Sequence, residues 1–72
     1  MLDKWYWQVE IKHNKEPVFS DTNANGNVGE LEHDACFYYR DALAAANVSQ
    51  SRYTLGGHPF DEVNIEIWKA EQ

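Results

Sequence analysis

Lys4-Trp5-Tyr6-Trp7-Gln8-Val9-Glu10-Ile11-Lys12-His13 alternates without a break. In an extended chain Trp5, Trp7, Val9 and Ile11 fall on one side, and Tyr6, Gln8, Glu10 and Lys12 on the other. A strand with one packed face and one wet face reads this way. Val63, Ile65 and Ile67 alternate with Asn64, Glu66 and Trp68 in the same manner and predict a second half-buried strand. Between the two, Val18 to Asp21 is a short strand joined to the first through His13-Asn14-Lys15-Glu16. Pro17 lacks a backbone donor and assigns that strand to a sheet edge.

Glu30 to about Asn47 carries helical periodicity. Its apolar stripe runs Leu31, Ala35, Tyr39, Ala42, Leu43 and Ala46, with Cys36 and Tyr38 at its margins. The alanine-rich end favours a helix and lets it approach a sheet closely. Arg52 to Leu55 has strand character, and Gly56-Gly57-His58-Pro59 is a turn into the last strand. The order is therefore β-β-α-(β)-β, an α+β fold with one helix on one face of a small, mainly antiparallel sheet. A right-handed crossover lays the last strand beside the first. Pairing Trp7 with Ile67 sets Lys12 opposite Glu62, a complementary pair, and Tyr6 opposite Trp68 on the open face. Trp5, Trp7, Val9, Ile11, Leu31, Ala35, Tyr39, Leu43, Val63, Ile65 and Ile67 are the expected core.

A length of 72 residues supports one domain, 1–72, with a core near the lower limit for independent folding. Cys36 is the only cysteine, so no internal disulfide can form and a reducing, cytoplasmic setting is expected. Met1 to Trp5 has neither a basic run nor an apolar one, and no apolar segment reaches membrane-spanning length. Twelve acidic against six basic residues give a formal charge of −6. The cations are scattered, with no stripe to follow a phosphate backbone, so direct nucleic-acid binding is not expected. An acidic surface suits a basic protein partner, or serves only solubility.

Asp21-Thr22-Asn23-Ala24-Asn25-Gly26-Asn27-Val28-Gly29-Glu30-Leu31-Glu32 has the pattern D-x-N-x-N-G-x-V-x-x-x-E and resembles the calcium loop of the EF-hand family. The resemblance implies calcium ligands at Asp21, Asn23, Asn25 and Glu32, the carbonyl of Asn27, and a sharp turn at Gly26. With only two carboxylates in that set, the implied dissociation constant is about 10⁻⁴ to 10⁻³ M. The loop departs from the family at its entrance, where Pro17 makes the chain extended instead of helical. The same residues also spell a turn at Asn25-Gly26 followed by acids in the first turn of a helix.

No nucleophile triad or phosphate loop is readable, and His33, Cys36 and His58 form a zinc set only if the fold gathers them. An enzyme is not expected. Surfaces remain. Phe37 with Asp34 and Asp41 on the helix, and Tyr6 with Trp68 and Glu66 on the sheet, are aromatics beside acids, the composition of binding hot spots. Alternatively, Tyr53, Leu55 or Phe60 folds over Phe37. The first reading is a non-enzymatic acidic protein-binding module, an inhibitor or adaptor acting on a basic or nucleic-acid-handling partner. By size and charge it resembles, as a class, the small inhibitors of phages and mobile elements, including anti-CRISPR and DNA-mimic proteins. The alternatives are a weak calcium-binding domain and a structural subunit that forms a homodimer through its open sheet face.

Overall fold

The computed structural model describes residues 4–24 and 36–70. Leu31, Ala35, Asn25, Asn27, Glu32, His33 and Asp34 lie outside them. Three strands and one helix follow in order: β1 (Trp5–His13), β2 (Glu16–Thr22), α1 (Tyr39–Thr54) and β3 (Glu62–Lys69). The sheet order is β2-β1-β3, with both pairings antiparallel and the helix inserted between β2 and β3 in the chain. The fold is a small α+β layer pair.

The expected register of β1 and β3 holds along its length. Trp7 pairs with Ile67, Tyr6 with Trp68 and Lys12 with Glu62. Lys12 Nζ lies 3.8 Å from Glu62 Oε2 and 3.4 Å from Glu10 Oε1. β1 and β2 form a tight hairpin in which Asn14 and Lys15 both have positive φ, 54° and 69°. That left-handed pair matches the right-handed twist of the strands. The turn is also tied to the far strand, because Asn14 N–H donates to Asp61 Oδ2 at 2.9 Å. The β1–β2 register shifts between Ile11 and Lys12, a bulge beside Pro17 that bends this edge.

α1 packs chiefly on the central strand β1. Val9, Ile11, Ala42 and Ala46 have no exposed surface, and Trp7 is 8% exposed. Phe19, Tyr53, Trp5, Ile65 and Ile67 pack around this cluster without being fully buried. The alanines face the sheet with no long side chain between backbone and strand, which is what allows the close approach. Because α1 sits over the middle strand, β3 lies at the margin of its cover. Val63 is therefore exposed, and Ile65 and Ile67 are only half-buried, where burial was expected.

Three sequence expectations are corrected. The helix does not include Cys36 to Tyr38. Cys36 is held extended by paired bonds with Trp5, N–H to carbonyl in both directions at 2.7 and 3.3 Å. Tyr38 is the extended residue that precedes the first turn. The helix also runs past Asn47 to Thr54, so Arg52 to Leu55 is not a strand. Its buried positions are Ala42, Ala46 and Ser49, with Tyr53 packed against Phe19 next along the same stripe. This rotation leaves Tyr39 and Leu43 outside the core, 51% and 38% exposed.

Ser49 is polar, yet it belongs on the inner face because a partner waits there. Its hydroxyl donates to Asp21 Oδ2 at 2.6 Å, closing the helix onto the end of β2. At the other end the Leu55 and Gly56 amides bond back to the carbonyls of Ser51 and Tyr53. Gly57 then takes φ +83°, a left-handed conformation that turns the chain away.

Candidate functional site: the open sheet face

The face of the sheet turned away from α1 carries Tyr6, Gln8, Glu10 and Lys12 from β1. β3 adds Glu62, Asn64, Glu66 and Trp68, paired with them across the ladder. Tyr6 and Trp68 are directly opposite, with ring centroids 6.1 Å apart and planes tilted by 35°. Trp68 is 37% exposed. Next to this pair along the ladder come Gln8 and Glu66, then Glu10 and Asn64, and the one cation on these two strands' open face, Lys12, lies at the far end between Glu10 and Glu62. A shallow hollow of about 550 Å³ continues from the aromatics along the strands, lined in part by Gln8, Glu10, Asn64 and Glu66. The pairing of β1 with β3 sets these side chains side by side on one face.

The second candidate patch is arranged differently. Phe37 is 44% exposed, but it lies in the bend before α1 and not on the helix surface. Asp41 is in the first helical turn, 3.9 Å from Arg40. The Arg40 guanidinium lies over the Tyr38 ring at 5.2 Å. Tyr53 does not cover Phe37: it packs on Phe19 at 5.5 Å and stacks with His58 at 4.7 Å. Leu55 is 84% exposed.

Of the residues matching a calcium loop, Asp21 and Asn23 are described, and both are engaged with the fold. Asp21 Oδ1 accepts from Thr22 N–H at 2.9 Å, and Oδ2 accepts from Ser49. Asn23 is 4% exposed. Its Oδ1 accepts from Trp7 N–H at 2.8 Å, its Nδ2 donates to the Trp5 carbonyl at 3.3 Å, and Thr22 Oγ1 donates to the Trp7 carbonyl at 2.7 Å. The two side chains thus continue the β1–β2 ladder one step beyond β2, joining it to the Trp5–Cys36 bridge. The sequence shows the Asn, but its role depends on where a strand 16 positions away presents its N–H. Among the described residues no three of His, Cys, Asp or Glu gather closely enough to hold a metal ion.

Cys36 is half-buried and carries a free thiol. Burial, then the nearby Asp41 carboxylate, push its thiol above the ordinary range. A second hollow of about 350 Å³ opens between helix and sheet, lined by Trp7, Asp21, Ala44, Ala45, Val48, Ser49 and Arg52. Its hydroxyl, Ser49, donates to the Asp21 carboxylate. No helix among the described residues is long and apolar enough to cross a membrane. Comparisons with protein-family models, with curated proteins and with solved structures return no match for this chain.

Proposed function

We propose that this chain is a small, acidic, non-enzymatic protein-binding module. It acts as an inhibitor or adaptor on a basic or nucleic-acid-handling partner, and its working surface is the sheet face opposite α1. The Tyr6–Trp68 pair carries this reading, two large rings side by side on the face opposite α1, with Glu66 next along the ladder and Glu10 and Glu62 farther along the same face. Aromatics supply most of the energy of an interface, while acids at its rim steer a basic partner and raise the association rate. The net charge of −6 favours the same class of partner. A single cysteine, unable to form an internal disulfide, suits the cytoplasm, which is the compartment we assign to the chain.

The test is capture from the native host. Wild-type protein should retain a specific partner, and the amount retained should fall as salt is raised. Trp68→Ala, whose side chain lies outside the core, should lose that partner while its circular dichroism stays that of wild type. Equal capture by Trp68→Ala, indifferent to salt, would contradict the proposal.

A further inference from the structure

The two edges of this sheet are built differently. β2 carries Pro17, a bulge against Ile11 and Lys12, and a tight hairpin at its start. Such features discourage a further strand from pairing. β3 carries none of them. It runs eight residues, Glu62 to Lys69, in unbroken register against β1, and contains neither proline nor glycine. Its outer side is the sheet edge, and among the described residues no backbone bond outside the strand pairing involves residues 62–68.

The polarity of that edge follows from the ladder. Ala70 N–H donates to the Lys4 carbonyl at 2.8 Å, so position 70 points its backbone toward β1. Alternation then turns the N–H and C=O of Val63, Ile65 and Ile67 outward. Their side chains lie on the helix-side face, where α1 covers them only in part: Val63 is 37% exposed, and no residue of β3 is buried. Unpaired backbone groups and half-covered β-branched side chains therefore occur at the same three residues.

We infer that β3 pairs antiparallel with β3 of a second copy, about a two-fold axis through Ile65, joining two three-stranded sheets into one. The register follows from charge. With Ile65 opposite Ile65, Val63 meets Ile67 on the helix side, while Asn64 meets Glu66 and Glu62 meets Trp68 on the open side. The Lys69 end of each strand meets the Asp61 end of the other. Sliding by two residues one way sets Glu66 against Glu66, and sliding the other way sets Glu62 against Glu66 twice. Like charges directly opposite destabilise a pair, so both neighbouring registers are disfavoured. The central register forms about six new backbone bonds and packs the Val63, Ile65 and Ile67 side chains of both copies together between the two helices. The open faces become continuous, and each Trp68 gains a Glu62 neighbour. This pairing is independent of the proposed function, since it uses the edge and leaves the face free.

Sedimentation equilibrium of the full chain, from low micromolar to submillimolar concentration, tests it. Wild type should approach a dimer. Asn64→Glu places a like charge opposite Glu66 in both symmetric pairs and should weaken the dimer about tenfold, whereas Asn64→Lys should strengthen it by a similar factor. Val63→Pro removes an outward N–H that has no partner in the monomer, and should give a folded monomer by circular dichroism. If Val63→Pro fails to fold, the opposed Asn64 variants decide the question. A wild-type chain that remains monomeric throughout the series overturns the inference. So does a dimer whose affinity ignores the charge at position 64.

Discussion

Where β2 gives out beside Trp7, the amide of Asn23 supplies both an acceptor for the Trp7 N–H and a donor for the Trp5 carbonyl, at 4% exposure. Asn23→Ala leaves a buried N–H without its acceptor and should cost about 1–3 kcal/mol in chemical denaturation. An equal midpoint and slope for the two proteins would show that water replaces the amide. Because Asp21 and Asn23 direct their oxygens into the fold, millimolar calcium is expected to leave the melting temperature unchanged, whereas a saturable rise would mean the loop reorganises around the ion. Cys36 offers a pH-dependent readout. Its thiolate is disfavoured first by burial and then by Asp41, so the folded thiol holds its proton to higher pH than an unfolded one. Alkylation should be slower than for an unhindered cysteine at mildly alkaline pH, with its rate profile displaced upward. In the window above the ordinary thiol pKa the unfolded chain loses its proton first, so stability should fall as pH rises there.

Among the elements, the hairpin contains the clearest local conflict. Asn14 tolerates its left-handed conformation, but Lys15 has a side chain that does not favour φ 69°. Lys15→Gly should therefore stabilise the protein by about 1 kcal/mol, read as a higher denaturation midpoint, and a lower midpoint would refute the strain. The β1–β3 pairing was legible because strict alternation leaves one register in which Trp7, Val9 and Ile11 meet Ile67, Ile65 and Val63 while Lys12 meets Glu62. The helix was legible as an element but not in its limits. An apolar pattern through Leu31, Ala35 and Tyr39 competes with the one through Ala42, Ala46 and Tyr53, and Ser49 hides the second by being polar. Only the Asp21 carboxylate, brought in from β2, makes Ser49 an inward residue. The structural role of Asn23 was illegible for a related reason. An oxygen-bearing side chain in a turn looks like a ligand until the neighbouring strand shows an N–H for it to accept.

At the scale of the molecule, one helix over a three-stranded sheet covers β1, and among the described residues three things stay uncovered: the opposite face, the outer edge of β3, and the aromatics ahead of α1. The pairing of Tyr6 with Trp68 was readable in the sequence through the register. The Arg40–Tyr38 stack, which follows Phe37 in the chain, was not, because it depends on where the helix begins. The affinity of the captured partner for Trp68→Ala and for Phe37→Ala, compared with wild type in the same buffer, tests the central claim most directly. If the sheet face is the working surface, Trp68→Ala loses about 2 kcal/mol or more of binding and Phe37→Ala binds close to wild type. A large loss in Phe37→Ala with an unaffected Trp68→Ala would move the site to the entrance of α1 and contradict the account.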